Sequence, residues 1–225
     1  MSDRRQSTSS SDGVVLLHGI SRTARSFRRM ELALQAAGFA TLNLDYDSRR
    51  KSLGALADDI DPAIAPFASR LEGSVHFVCH SMGGLLARAY LARHRPPRLG
   101  RVVMLGTPNG GSEIADRLKN LAAYRAFFGP AGQQLVTSRD AATRALLPAI
   151  DYPTGIIAGN RSIYPITSIA LPRPHDGRVS VANTRLDGMT DHIVIRTSHP
   201  WLVRNGEAIT QTIAFVRDGK FQEGR

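Results

Sequence analysis

The sequence predicts an α/β fold with a mostly parallel central sheet of about six strands flanked by helices. Short apolar runs, typical of buried parallel strands, alternate along the chain with segments of helical periodicity. Segments of this length in this order indicate a doubly wound sheet with right-handed crossovers. In addition, His18-Gly19, Ser81 and Thr107 each follow a predicted strand. They are therefore expected at the carboxyl edge of the sheet, where open α/β folds bind ligands.

The first half of the chain supplies two strands and two helices of this pattern. The strands are predicted at 13–18 (G-V-V-L-L-H) and 39–46, and Gly38 provides a helix stop between them. The helix before Gly38 carries its apolar residues at Phe27, Met30, Leu34 and Ala37. The next helix shows one apolar face at Leu53, Leu56, Ile60, Ile64, Phe67 and Leu71. Pro62 and Pro66 predict that this second helix is kinked or split.

A third strand at 75–78 runs into a helix that ends near His94, and a fourth strand follows at 101–105. The segment 112–147 then has a different, amphipathic helical pattern. Its bulky apolar members are Leu118, Leu121, Tyr124, Phe127 and Phe128. Because it is inserted between two strands, this segment is expected to lie over the site. It would serve there as a lid, as an acyl-binding wall, or as a plain packed insertion.

The sheet resumes with a strand at 152–158, and a proline-rich loop at 160–174 leads to the last strand at 192–197. A closing helix is predicted at 201–216, and the chain shows no internal repeat. We therefore expect one domain over 13–225. It is preceded by a polar leader at 1–12, which lacks the apolar core of a signal peptide and is interpreted as disordered.

The stretch around Ser81 carries the strongest chemical signal. Cys79-His80-Ser81-Met82-Gly83 lies at a strand-to-helix turn and matches G-x-S-x-G, except that cysteine replaces the first glycine. Such a turn strains the serine backbone and aims the helix N-terminus at a developing oxyanion. The local pattern alone also fits a buried strand entering a helix with an incidental serine. Because His18-Gly19 and Thr107 also follow predicted strands, Ser81 is expected at the same edge as these residues, which favours the interpretation of Ser81 as a nucleophile.

A serine nucleophile needs an imidazole base and a carboxylate that orients it, expected in the chain order serine, acid, histidine. Among the later histidines, His94 ends a helix and His192 begins the last strand at its amino end. His175 precedes Asp176, whereas His199 follows the last strand at the correct edge and is the predicted base. For the acid, spacing favours Asp176 in its Asp-Gly turn, with Asp187 and Asp191 as alternatives.

Backbone amides are expected to form the oxyanion hole: Met82, directly after the nucleophile, and Ile20, after the first strand. His18 is expected to brace that loop. His18 and the apolar residues of the insertion are candidate pocket residues: Leu121, Tyr124, Phe127 and Phe128.

Composition excludes several classes of protein. The formal charge is +10 and the only lysines are Lys51, Lys119 and Lys220, but the arginines are scattered without a basic run. A nucleic-acid partner is therefore not expected. No apolar run is long enough for a membrane span, which predicts no integral membrane association, and a cytoplasmic location is expected. Cys79 is the single cysteine, so an internal disulfide and a cysteine-based metal cluster are excluded.

Four segments carry a resemblance to a known family: V-L-L-H-G-I at 15–20, C-H-S-M-G-G at 79–84, L-G-T-P-N-G-G-S at 105–112, and P-H-D-G-R-V-S-V at 174–181 followed by S-H-P-W-L at 198–202. With them the chain resembles the bacterial α/β-hydrolase superfamily, specifically its small lipase- and esterase-like members. The resemblance implies hydrolysis through an acyl-serine intermediate without cofactor or metal. It also favours Asp176 over Asp187. Cys79 and a core shortened at its amino end are the departures from the family pattern.

The resulting hypothesis is a serine hydrolase of small-molecule or lipid-like carboxylic esters, with Ser81, Asp176 and His199 as its triad. Thioesterase, amidase and acyltransferase activities remain open, because the same fold hosts them all. A catalytically silent α/β-hydrolase that serves as a binding module is the alternative of a different class. The sequence indicates neither acyl chain length nor oligomeric state.

Overall fold

In the computed structural model, which describes residues 12–164 and 171–222, six strands form one sheet in the order β2-β1-β3-β4-β5-β6. All neighbouring strands are parallel. The strands are β1 Gly13–Leu17, β2 Ala40–Leu44, β3 Val75–His80, β4 Leu99–Leu105, β5 Thr154–Gly159 and β6 Asp191–Ile195. All six predicted strands are present, with ends shifted by a few residues.

Helices cover both faces of this sheet. They are α1 Arg28–Ala36, α2 Leu53–Arg70, α3 Met82–His94, α4 Glu113–Leu118, α5 Ala122–Gln133, α6 Ala141–Leu146, α7 Val181–Thr184 and α8 Gly206–Asp218. Short 3-10 helices span Ala24–Phe27 and His199–Arg204. None of the helices in the described part of the chain has the length and apolar character that crossing a membrane requires.

Strand β1 shows why the strand sequences are continuous apolar runs. Val15 and Leu17 belong to the core cluster beneath α2 and α3, whereas Val14 and Leu16 belong to the opposite cluster, beneath α1 and α8. Because successive side chains point to opposite faces, a strand covered on both sides needs apolar residues throughout.

Two helix predictions are wrong in detail. Helix α2 runs unbroken through Pro62 and Pro66, which both lie on its exposed side, while Ile64 on the other side packs in the core. The carbonyl groups that lose a donor to these prolines belong to Asp58 and Pro62, which are exposed residues, so continuous packing outweighs the break. The closing segment is divided, because Asn205 ends the 3-10 helix and its side chain caps α8 by accepting from the amide of Ala208 at 3.0 Å.

The inserted segment consists of α4, α5 and α6 between β4 and β5. Helix α5 contains a non-helical residue at Gly129 (φ 60°), directly before Pro130. The predicted leader falls almost wholly on residues 1–11, and part of the proline-rich loop on 165–170. Both of these segments lie outside the described residues.

The strand order explains where a site can form. The chain moves from β1 outward to β2 and then returns to the other side of β1 with β3. The connections that follow β1 and β3 therefore diverge at the carboxyl edge and leave a crevice there. Gly19 and Ile20 follow β1, and Ser81 follows β3, so the sheet topology brings these residues to one crevice.

Candidate active site

Ser81 occupies a strained turn between β3 and α3, with φ 55° and ψ −126°. A residue other than glycine in this region costs about 1–3 kcal/mol and persists only where the surroundings enforce it. The enforcing contact comes from the helix that follows. A β-carbon on Gly83 would lie 2.2 Å from the carbonyl oxygen of Leu17, and one on Gly84 would lie 2.1 Å from Oγ1 of Thr107. The two glycines thus allow α3 to start directly against β1 and β4.

Cys79, at the position of the first glycine of the motif, is fully buried in the core cluster beneath α2 and α3. Burial raises the pKa of its thiol, so this group is held in its neutral form. The side chain therefore acts as a small apolar core residue.

A continuous chain of hydrogen bonds joins the three predicted triad residues. Nε2 of His199 lies 2.9 Å from Oγ of Ser81, and Nδ1 of His199 lies 2.7 Å from Oδ2 of Asp176. Asp176 is fully buried, while Ser81 and His199 are each 8% exposed. With Nδ1 donating to the carboxylate, Nε2 presents a lone pair to the serine hydroxyl.

The Asp-Gly turn fixes the carboxylate of Asp176. Its Oδ1 accepts hydrogen bonds from the amides of Arg178 (2.9 Å) and Val179 (2.8 Å), which leaves Oδ2 for His199. A backbone hydrogen bond joins the same two residues, because the amide of His199 donates to the carbonyl oxygen of Asp176 at 3.0 Å. A β-carbon on Gly106 (φ 58°) would lie 3.1 Å from Oδ2 of Asp176, so glycine there leaves room for the acid.

The other candidate acids and bases from the sequence lie away from Ser81. Asp187 is exposed in the turn that precedes β6, and Asp191 begins β6, so both lie at the amino edge of the sheet. His192 also lies at that edge, with Nε2 3.0 Å from Oγ1 of Thr184. His94 ends α3 and pairs with Asp58 at 2.7 Å.

His175 lies beside the acid, but its ring is committed to the backbone of the turn. Its Nδ1 accepts from the amide of Gly177 at 3.0 Å.

His18 braces the loop after β1. Its ring stacks on Tyr46 with centroids 4.0 Å apart and planes 5° apart, and the Tyr46 hydroxyl donates to the His18 carbonyl oxygen. Burial lowers the pKa of His18. In the same loop the amide of Ser21 donates to Oγ of Ser48. The amide of Ile20 has no acceptor among the described residues.

Met82 begins α3, where helix geometry leaves amide groups without an acceptor in the helix. The two predicted oxyanion donors, Ile20 and Met82, are therefore both available at the crevice. Their roles remain predictions.

A cavity of about 260 Å³ opens at Ser81 and His199. Its apolar wall comes from the inserted segment, through Leu118, Tyr124, Phe127, Phe128 and Leu135 among others. Two of the sequence candidates lie outside it. Leu121, which directly precedes α5, is 54% exposed, and His18 is buried behind the loop that it braces.

His80 is a site residue that the sequence reasoning missed. It lines the cavity, and its Nε2 lies 3.0 Å from the carbonyl oxygen of His199. Burial above all, and then the adjacent His199, hold the pKa of His80 well below its usual range. Its place next to Ser81 in the motif was the only signal in the sequence. Among the described residues, no group of three or more His, Cys, Asp or Glu side chains is arranged to hold a metal ion.

Comparisons with known sequences point to hydrolases. The chain is 28% identical over 134 residues to human lysosomal thioesterase PPT2, covering 54% of this chain and 44% of that protein. It is 29% identical over 103 residues to the PPT2 of Bos taurus, covering 44% of this chain and 34% of that protein. The chain thus spans less than half the length of these curated relatives.

Solved structures share the fold. The mature lipase BlEst2 of Bacillus licheniformis superposes with a TM-score of 0.78 at 19% identity, covering 93% of this chain and 92% of that one. The RedJ thioesterase of Streptomyces coelicolor gives a TM-score of 0.59 at 16% identity, covering 94% and 86%. A family model described as "Alpha/beta hydrolase family" matches residues 14–211. The chain is therefore a member of the alpha/beta hydrolase family.

Proposed function

We propose that this hydrolase cleaves carboxylic esters through an acyl-serine intermediate. The observation that carries the proposal is the hydrogen-bonded chain from Oγ of Ser81 through His199 to Asp176, with separations of 2.9 and 2.7 Å. In the first half-reaction Oγ of Ser81 attacks the ester carbonyl carbon, and Nε2 of His199 takes the hydroxyl proton. The carbonyl oxygen becomes an oxyanion, for which the amides of Ile20 and Met82 are the available donors.

Collapse of the tetrahedral intermediate breaks the bond to the alcohol oxygen, which receives the proton from Nε2 of His199. Water then attacks the acyl-serine, and His199 accepts its proton and returns one to Ser81. The amides of Arg178 and Val179 donate to Oδ1 of Asp176 and so hold its carboxylate in place throughout both half-reactions. The carboxylate holds the Nδ1 proton of His199 and favours the imidazolium form that each half-reaction creates.

The apolar wall of the cavity supports an acyl chain as the group that enters it. Leu118, Phe128 and Leu135 come from the inserted segment, so this segment serves as an acyl-binding wall in the proposal. A thioesterase is the second candidate, because the curated relatives that match in sequence are thioesterases. The same steps apply with sulfur as the leaving atom.

The test is hydrolysis of a p-nitrophenyl ester series from acetate to palmitate, alongside acyl thioesters of the same lengths. Wild type is compared with Ser81→Ala and His199→Ala, and each protein is treated with a fluorophosphonate probe. We expect turnover and labelling in wild type, and loss of turnover in both variants. The ratio of ester to thioester turnover decides between the two candidates. A wild type without turnover on either series and without labelling would exclude both activities and favour a binding module.

A further inference from the structure

A second cavity adjoins the one that holds Ser81. It has a volume of about 190 Å³ and shares three lining residues with the catalytic cavity: Arg22, His80 and Pro200. Pro200 directly follows His199, so the wall between the two cavities is formed by the neighbours of the proposed base. A leaving group that takes its proton from Nε2 of His199 is therefore released beside residues that line both cavities.

The charged groups that line this second cavity are both positive. They are Arg22, from the loop after β1, and Arg204, at the end of the 3-10 helix that starts at His199. Neither guanidinium forms a salt bridge within residues 12–164 and 171–222. Asp45 accepts from the amide of Ala24 on the same loop and does not line the cavity.

Another arginine, Arg29, fixes the backbone of Arg204. The guanidinium of Arg29 donates to the carbonyl oxygen of Arg204 at 2.9 Å, which ties the 3-10 helix to α1. The second cavity is thus lined by two arginines without a carboxylate among its lining residues. Such an arrangement concentrates anions, and guanidinium groups bind carboxylate and phosphate oxygens in a planar, often bidentate geometry.

The two cavities share Arg22 but differ in most of their other lining residues. The catalytic cavity is walled by apolar side chains of the insertion, while Arg178 at its edge stacks on the ring of Tyr164 at 4.8 Å. The second cavity combines the two arginines with the half-exposed indole of Trp201. The apolar side chains of the insertion line only the first cavity, whereas Arg204 and Trp201 line only the second.

We propose that Arg22 and Arg204 bind an anionic group, a carboxylate or a phosphate, on the alcohol or thiol portion of the substrate. This inference rests on the proposed function and adds the chemical class of its leaving group. Trp201 would cover the part of the leaving group that connects the anion to the scissile bond.

The test uses two butyrate esters that differ in the charge of the leaving group, 4-butyryloxybenzoate and the neutral 4-butyryloxybenzamide. The readout is the ratio of kcat/KM for the anionic ester to kcat/KM for the neutral ester. We expect Arg22→Gln and Arg204→Gln each to lower this ratio by up to about fivefold, through KM of the anionic ester. Arg25→Gln is the matched control, because Arg25 is exposed on the 3-10 helix just after Arg22 and lines neither cavity.

Two further substrates locate and identify the anion. An ester with the carboxylate on the acyl side, phenyl hydrogen succinate, is expected to show no dependence on Arg22 or Arg204. The phosphate analogue of the anionic ester, 4-butyryloxyphenyl phosphate, is expected to depend on the two arginines in the same direction as the benzoate. The anion with the larger dependence is the preferred one.

An unchanged ratio in the Arg22→Gln/Arg204→Gln double variant, with both esters hydrolysed, would overturn this inference alone. A dependence seen only with the acyl-side carboxylate would also overturn it. Absence of hydrolysis of every ester by wild type overturns the proposed function, and the inference fails with it.

Discussion

Nε2 of His80 lies 3.0 Å from the carbonyl oxygen of His199, and the two imidazole rings pack with centroids 4.8 Å apart. Because a carbonyl oxygen only accepts, Nε2 of His80 carries the proton and donates. Nδ1 of His80 is then the unprotonated nitrogen, and it has no hydrogen-bond partner among the described residues. The residue before the proposed nucleophile thus holds the backbone of the proposed base.

This contact makes His80 a positioning residue. We expect His80→Leu to lower kcat about tenfold with little change in KM, because a buried carbonyl without a donor costs about 1–3 kcal/mol and the loop of His199 shifts to recover a partner. Steady-state kinetics on a short-chain p-nitrophenyl ester measures the effect. His80→Gln, whose amide can donate from a similar position, should recover part of kcat. Equal losses in both variants would argue against this role.

A substitution at Asp176 tests the proposed role of its carboxylate in orienting His199. Its Oδ1 accepts from two backbone amides, so in Asp176→Asn the carbonyl oxygen stays at that position and the NH₂ group faces Nδ1 of His199. The imidazole must then carry its proton on Nε2, where it cannot accept one from Ser81. We expect kcat to fall by about 10⁴, with the circular dichroism spectrum unchanged. Asp187→Asn, at an exposed position, is the control and should retain wild-type kcat.

Gly83 tests the packing that creates the turn at Ser81. Gly83→Ala places a β-carbon 2.2 Å from the Leu17 carbonyl oxygen, which forces α3 away from β1. We expect a loss of about 1–3 kcal/mol in the free energy of unfolding, measured by urea denaturation. Activity should fall as well, since the turn moves. Gly206→Ala, at the exposed start of α8 with nothing within 4 Å, should leave stability unchanged or slightly raised.

Buried histidines predict a loss of stability in mild acid. Burial is the main cause that lowers the pKa of His18, His76, His80 and His192 below the value that applies in the unfolded chain. As pH falls below about 6.5, the unfolded state takes up protons that the folded state does not, so the free energy of unfolding decreases. Urea denaturation at about pH 7.5 and about pH 5.5 measures the difference. This difference in the free energy of unfolding between the two pH values should be smaller in His76→Gln. An unchanged difference in that variant would contradict the contribution of His76 to the loss of stability in acid.

The sequence was sufficient to predict the sheet because the strands are buried and their apolar runs are continuous. The same topology places Ser81 and His199 at one edge. Spacing alone could not separate Asp176 from Asp187, since both precede a glycine. Asp176 lies at the carboxyl edge of the sheet and is buried, whereas Asp187 lies at the amino edge and is exposed.

Side chains of the insertion were harder to predict. Helical periodicity shows that Leu121 and Tyr124 lie near each other on a helix surface but not which of them faces the cavity. In the structure Leu121 is 54% exposed and Tyr124 is 8% exposed. The arginines of the second cavity are separated by nearly the whole chain. Nothing in their local sequence distinguishes them from the other arginines, so only the fold brings them together.

The wall of the catalytic cavity yields a prediction on acyl length. Ala115 on α4 lines the cavity and is 2% exposed, so Ala115→Leu fills part of the space with a larger side chain. A filled cavity excludes terminal methylene groups, each of which contributes about 0.8 kcal/mol when buried. In the p-nitrophenyl ester series we expect kcat/KM to fall about tenfold for the longest acyl chain that wild type accepts well and to change little for acetate.

Leu118→Phe, at a half-buried position on the same wall, should shift the optimum in the same direction, which separates filling of the cavity from a folding defect at Ala115. Ala126→Leu on the exposed side of α5 is the matched control and should keep the wild-type profile. If all three variants keep that profile, the acyl chain does not enter this cavity. Because the wall and the triad come from different parts of the chain, that result would leave the serine mechanism intact and redirect the search for the acyl site to the second cavity.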